Sequence, residues 1–267
     1  NECRPWLASA IEAATVARPA RFRDAISVNG IIPELNDKKE IDSLMRTYEG
    51  VKTFKVKVGR NLKEDVIRVA RVFSNAPKAS IRVDVNGLWS VEEALTHLYA
   101  YYEEIGPLEY VEQPCATVEE LRELKSKINI PLRIAADEII RKAPNPFAID
   151  LTDSADVVML KVQPLGGIKR SLEIAAHHGL PVVVSSALES AIGIEYGLEL
   201  AASISDLNFD CGLATGSLLT SDVAGHEIID GKITLGQISP MLDGLDVSPD
   251  RYEWWKNRIM RVGKLIT

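Results

Sequence analysis

The sequence predicts an α/β protein folded as a (β/α)8 barrel of the TIM type. Two observations carry that reading. Short β-type runs recur along the chain, each followed by a helix-type run, and their starts lie roughly 22 to 30 residues apart, the length of a strand, a loop and a crossover helix. The chain also has 267 residues, 46% of them hydrophobic, which suits one closed barrel with a single large core. An open doubly wound sheet competes less well. It calls for a glycine-rich first turn, and no GxGxxG follows the first strand.

The elements follow in order. "RPWLASAIEAATVA" reads as a leading helix, and "AISVNGII" (25–32) as the first strand. After the helix-like "KKEIDSLMRTYEG" comes "TFKVKV" (53–58), which alternates strictly. Phe54, Val56 and Val58 face one side, and Lys55 and Lys57 the other. "SIRVDV" (80–85) and "LEYVE" (108–112) are the next strands, with Ser90 and Thr117 as N-caps of the helices after them. "PLRIAAD" (131–137), "ADVVMLK" (155–161) and "LPVVVSS" (180–186) continue the pattern, and "FDCGLA" (209–214) closes it more weakly. The glycines of "PLGGIKR" serve either a tight turn or an anion received at a helix N-terminus. His177 and His178 end a helical run before Gly179, where a capping role outweighs metal binding. "SPDRYEWWKNRIMRV" reads as a last helix, with Trp254 and Trp255 covering apolar surface.

Composition excludes several functions. The formal charge is −7 and no Lys/Arg cluster is interleaved with aromatics, which argues against a nucleic-acid partner. No apolar run reaches about 18 residues and no signal-peptide pattern opens the chain, so neither a membrane partner nor export is expected and the cytoplasm is the expected compartment. Cys3, Cys115 and Cys211 are widely spaced and read as free thiols in a reducing compartment. The chain begins at Asn1 rather than a methionine, as a piece of a longer protein would. The sequence does not fix an oligomeric state.

In such a barrel, chemistry gathers at the C-terminal strand ends. There the second strand places Lys55 and Lys57, the third Asp84 with Asn86 beyond it, the fourth Glu112, the fifth Asp137 and Glu138, the sixth Lys161, and the seventh Ser185 and Ser186. Asp84 or Glu112 alone would serve a helix cap as well as a ligand, and Lys55 or Lys57 alone a solvated face. Lys161 closes the apolar run "VVML", where an unpaired ammonium is costly. The set is stronger than its members, because consecutive strands deliver K, D, E, D and K at one end. Carboxylates converging in a barrel mouth repel, and a hard cation such as Mg²⁺, with Mn²⁺ as the alternative, relieves this. Asp84, Glu112 and Asp137 are the expected ligands, with Asn86 and Glu138 as their supports. A cation-held carboxylate substrate loses its α-proton more readily. Lys57 is the expected base, Lys55 its neighbour that tunes it and helps hold the substrate carboxylate, and Lys161 the group on the opposite face.

The segments "KVKVG", "RVDVNGLW", "YVEQP", "ADE", "VVMLKVQPLGG" and "VVSSALESAIG" together resemble the muconate-lactonizing subgroup of the enolase superfamily, over residues 1–225. A Lys or His base with Mg²⁺ stabilising an ene-diolate is that superfamily's known scheme. Within the subgroup, "YVEQPCATVEEL", "VVMLKVQPLGGI" and "CGLATGSLLTSDV" look most like an actinobacterial branch. Its members dehydrate 2-succinyl-6-hydroxy-2,4-cyclohexadiene-1-carboxylate to 2-succinylbenzoate in menaquinone biosynthesis. The resemblance implies that Asp84, Glu112 and Asp137 bind the metal. It implies that Lys57 removes the α-proton and protonates the leaving hydroxyl on the same face, while Lys161 faces the enediolate. Ser185 and Gly212 match positions near the succinyl tail, where backbone N–H groups would hold its carboxylate. Members of the family also carry an N-terminal α+β capping domain, of which only the last helix is matched here, at "RPWLASAIEAA". The expected division is therefore 1–24 as cap remnant and lead-in, 25–225 as the barrel with the site, and 226–267 as a segment packing on the barrel, with an open, wetter mouth. Two other functions fit the same residues: racemisation or epimerisation of an N-acylamino acid or dipeptide, and a metal- and carboxylate-binding barrel with impaired turnover.

Overall fold

The computed structural model describes residues 5–236, 238–243 and 246–266; Cys3 lies outside them. The first predicted strand is split into β1 (Ala25–Ser27) and β2 (Gly30–Ile32). The break falls beside Asn29, whose buried carboxamide oxygen accepts from Arg82 at 3.1 Å. Gly30 restarts pairing where a Cβ would stand 2.7 Å from the Phe54 ring, so only glycine lets β2 close on its neighbour.

From β2 the strands β3 (Thr53–Lys57), β4 (Ser80–Asp84), β5 (Tyr110–Glu112), β6 (Ile134–Ala136), β7 (Val157–Leu160) and β8 (Val182–Val184) follow as a parallel sheet in chain order. Cys211 and Gly212 close it into a barrel, bridging in parallel to Val28 on one side and Ser185 on the other. The eighth unit is the shortest. After Gly212 the chain makes a 3-10 turn at Thr215–Leu218 and then runs to β9 (Lys232–Thr234), which pairs antiparallel with β1. Within the described residues of that stretch there is no crossover α-helix.

The helices are α1 (Pro5–Thr15), α2 (Lys38–Arg46), α3 (Leu62–Asn75), α4 (Val91–Ile105), α5 (Val118–Lys127), α6 (Glu138–Arg141), α7 (Val162–Leu165), α8 (Ile168–His178), α9 (Ala191–Ala202) and α10 (Pro249–Ile266). Ser90 and Thr117 cap α4 and α5 as the sequence predicts, each in a reciprocal capping box with a glutamate. His177 and His178 fill the last turn of α8, which Gly179 ends in the left-handed conformation. Cys115 and Cys211 are free and buried, and burial pushes both thiols up to about 12. Among the described residues no helix is long and apolar enough to cross a membrane.

The turn in "PLGGIKR" does receive an anion, and the chain supplies it. Glu12 of α1 accepts from the Ile168 and Lys169 amides at 2.9 and 3.1 Å, at the N-terminus of α8, and from the Tyr196 hydroxyl at 2.9 Å. Trp254 and Trp255 correct an expectation. They are only partly covered, standing 46% and 39% exposed, edge to face with each other and beside the Arg251 guanidinium.

Outward residues of the strands pack under the helices, while Tyr110, Ala135, Val157, Met159 and Val183 fill the barrel interior. The register sets what stands above them. Lys55 is paired with Arg82 and Arg82 with Tyr110, so these form one inward layer. One layer higher, Lys57 is level with Asp84 and Asp84 with Glu112.

Candidate active site

That upper layer is a row of charges, which Lys55 reaches from the layer below. Lys55 Nζ stands 2.8 Å from Glu112 Oε2 and 3.3 Å from Asp84 Oδ2. Lys161, just past β7, stands 2.7 Å from Asp137 Oδ2 and 3.8 Å from Glu112 Oε1. The two lysines thus join three carboxylates from consecutive strands into one buried network. Lys57 is different. Its side chain is 30% exposed against 9% for Lys55 and 7% for Lys161, its nearest charge is Asp84 Oδ1 at 3.6 Å, and its ammonium has no hydrogen-bond partner. Its exposure lies along the stem, and its ammonium nitrogen is itself buried.

Burial and charge compete across the row. Burial and the neighbouring Asp84 charge push the Glu112 carboxyl up to about 7, against the pull of Lys55 and Lys161. For Asp84 the balance reverses: burial raises it, but Lys55 and Lys57 outweigh burial and hold it below the usual range. Burial also opposes the Lys55 ammonium, and the Glu112 and Asp84 charges overcome it, so Lys55 is held cationic.

Asn86 and Glu138 lie beside the row. Asn86, at a left-handed φ of 54°, donates from its backbone to Asp84 Oδ1 at 3.2 Å and from its side chain to Glu138 Oε1 at 3.1 Å. Ser185 and Gly212 lie side by side, but their backbone N–H groups are committed to barrel closure, donating to Leu160 and Val184 carbonyls at 2.9 Å. The amides therefore do not face a ligand; the Ser185 hydroxyl, 3.5 Å from the Gly212 carbonyl, is the polar group left over. Arg141 was missed. It reaches back along α6 to both Asp137 oxygens, at 3.1 and 3.2 Å, and pairs with Glu138. Its spacing of four residues from Asp137 is the available signal, but only once a helix starting at Glu138 is recognised.

Among the described residues no three His, Cys, Asp or Glu side chains are gathered closely enough to form a ready cation cage, because lysines stand between the carboxylates. The donor set nevertheless fits a hard divalent cation. It is all carboxylate, it comes from adjoining strand ends, and Glu112 Oε1 is buried without a hydrogen-bond partner.

A family model described as enolase C-terminal domain-like matches residues 39–251. The chain belongs to that family. Its enolase-like relatives include the o-succinylbenzoate synthase of Mycobacterium ulcerans (strain Agy99), 45% identical over 265 residues that take in 97% of this chain and 79% of the relative. The o-succinylbenzoate synthase of Mycobacterium tuberculosis (strain ATCC 25618 / H37Rv) is 44% identical over 261 residues, 95% of this chain and 78% of the relative. Among solved structures, the muconate cycloisomerase of Pseudomonas fluorescens superposes with a TM-score of 0.73 at 23% identity, covering 92% of this chain and 73% of its own. The L-Ala-D/L-Glu epimerase of Bacillus subtilis, also at 0.73 and 23%, covers 87% of this chain and 70% of its own. At that identity the two structures speak for the enolase-like fold alone. Members of the superfamily depend on a divalent metal.

Proposed function

We propose that the chain is an o-succinylbenzoate synthase, a carbon–oxygen lyase that dehydrates 2-succinyl-6-hydroxy-2,4-cyclohexadiene-1-carboxylate to 2-succinylbenzoate in the cytoplasm, as a step of menaquinone biosynthesis. The observation that carries this is the register of Lys57, Asp84 and Glu112 in one layer, with Lys161 held by Asp137 two strands beyond. The 45% identity to the Mycobacterium ulcerans synthase supports this lyase over racemisation by the same two lysines.

Asp84, Glu112 and Asp137 would hold the cation, read as Mg²⁺ with Mn²⁺ as the alternative. When bound, it supplies a Lewis acid that draws charge onto the substrate carboxylate. The rest falls to side chains. Lys57, whose buried nitrogen has no hydrogen-bond partner among the protein's own groups, takes the α-proton. The electron pair of the broken C–H bond passes into the carboxylate as an enediolate. Lys161 stabilises that anion from the other side, since Asp137 fixes its ammonium at 2.7 Å. The pair then returns to form the ring double bond. The C–O bond breaks, and Lys57 gives its proton to the departing hydroxyl, which leaves as water. One base working twice requires both groups on one face, hence syn elimination.

The test is a steady-state assay with the cyclohexadiene substrate and Mg²⁺, followed by the rise of the aromatic product. Product formation that stops on adding chelator is the expected result. Turnover of an N-succinylamino acid without dehydration would move the assignment to a racemase.

A further inference from the structure

Gln113 stands between Glu112 and the turn at Pro114, fully buried and at a φ of 41°. A left-handed backbone is unfavourable for a residue with a Cβ. Continued as an extended strand, position 113 would turn its side chain to the face opposite Glu112. The left-handed backbone instead sends it across to β6.

Every polar group of the residue is then engaged. Its N–H donates to the Ala135 carbonyl at 2.9 Å, and its carbonyl accepts from the Gly87 amide at 2.6 Å. Its carboxamide nitrogen donates to the Cys115 carbonyl at 2.8 Å. Its carboxamide oxygen accepts from the amides of Asp137 at 2.9 Å and Ile139 at 3.3 Å. The orientation of the carboxamide is not arbitrary, because a backbone carbonyl only accepts and a backbone amide only donates. The side chain thus ties the loop after β5 to the start of α6, and the backbone carbonyl adds the loop after β4. Those are the segments that carry or follow Asp84, Glu112 and Asp137.

We propose that Gln113 is a positioning residue for the site: its carboxamide sets the Asp137 peptide relative to Glu112, and through Asp137 it sets Lys161. The proposal rests on reading the three carboxylates as cation ligands. The Asp137 carbonyl accepts from the Ile140 and Arg141 amides, but its side chain makes no cap hydrogen bond to α6, so nothing within its own turn ties it to Glu112. Its side-chain oxygens are occupied by Lys161 and Arg141, so its backbone amide is where the neighbouring strand takes hold.

Two variants separate positioning from plain packing. Gln113→Gly removes the carboxamide but relieves the left-handed strain. Gln113→Glu keeps the shape but turns a carboxylate oxygen toward the Cys115 carbonyl, which then has no donor. Each is titrated with Mn²⁺ alone and followed by amide hydrogen exchange and circular dichroism. Both variants should bind Mn²⁺ about 10–100-fold more weakly than the parent. In Gln113→Gly the Asp137 and Ile139 amides should lose protection, whereas in Gln113→Glu they should keep it because a carboxylate oxygen still accepts from both; the remaining protected amides and the dichroism stay as in the parent. Should one variant fail to fold, the other carries the test. Parent-like Mn²⁺ affinity in either folded variant overturns the proposal, as does full protection of those two amides in Gln113→Gly. If the unsubstituted protein does not bind Mn²⁺, the ligand reading falls and the proposal with it, and that outcome is seen without either variant.

Discussion

Lys57 and Lys161 occupy unlike surroundings, and their replacements should fail in unlike ways. Lys57→Ala removes the base, so exchange of the substrate α-proton with solvent and product formation should vanish together, read by mass spectrometry and by absorbance. Lys161→Ala removes a charge held opposite the developing anion, and turnover should fall about 10²–10³-fold. It also strips Asp137 of its closest cation, as Lys57→Ala strips Asp84 of one of its two, so cation affinity should change in both variants. Glu112 gives a test by pH. Its folded pKa of about 7 lies above its ordinary 4.5, so the folded protein holds a proton that the unfolded chain has released between those values. The stability it contributes is complete below about pH 4.5 and is lost as pH rises through 7, by up to about 3 kcal/mol. Melting of the chelator-treated protein should show that decline. In Glu112→Gln the decline should flatten, because an amide has no proton to release in that range; an identical slope in both would refute the buried-charge reading.

At the scale of elements, the join between α1 and α8 is the most exacting. A Cβ on Gly167, at a φ of 121°, would lie 1.9 Å from Glu12 Oε2. Gly167→Ala should therefore cost about 1–3 kcal/mol from backbone strain, plus displacement of the Glu12 carboxylate. Glu12→Ala should cost about 1–2 kcal/mol through the lost helix cap. The two should not add: in the Glu12→Ala background the glycine replacement should cost less, as urea denaturation of the double mutant would show. Strand alternation and caps were readable in the sequence because each depends on near neighbours, as at Lys55 and Lys57 or at Ser90 and Glu93. The split between β1 and β2 was not, because it depends on Phe54 and Arg82, far along the chain. The exposure of Trp254 and Trp255 was missed for the same reason: an amphipathic pattern says which face is apolar, not whether anything covers it.

For the whole molecule, a barrel turns sequence order into spatial order. Strands that follow one another in the chain stand side by side, so the residues at their ends form a ring that can be named in advance. That is why Lys55, Lys57, Asp84, Glu112, Asp137 and Lys161 could be picked out before the fold was in view. Arg141 and the committed amides of Ser185 and Gly212 escaped notice because they follow from how the ring is closed and braced. The central claim is that Lys57 takes the α-proton of a carboxylate substrate at this ring. It is tested most directly by single-turnover kinetics with the cyclohexadiene substrate carrying deuterium at the α-carbon, in the presence of Mg²⁺. The unsubstituted protein should show a primary isotope effect on formation of 2-succinylbenzoate, and Lys57→Ala should bind the substrate yet form no product. Product formation by Lys57→Ala at the parent rate would contradict the account.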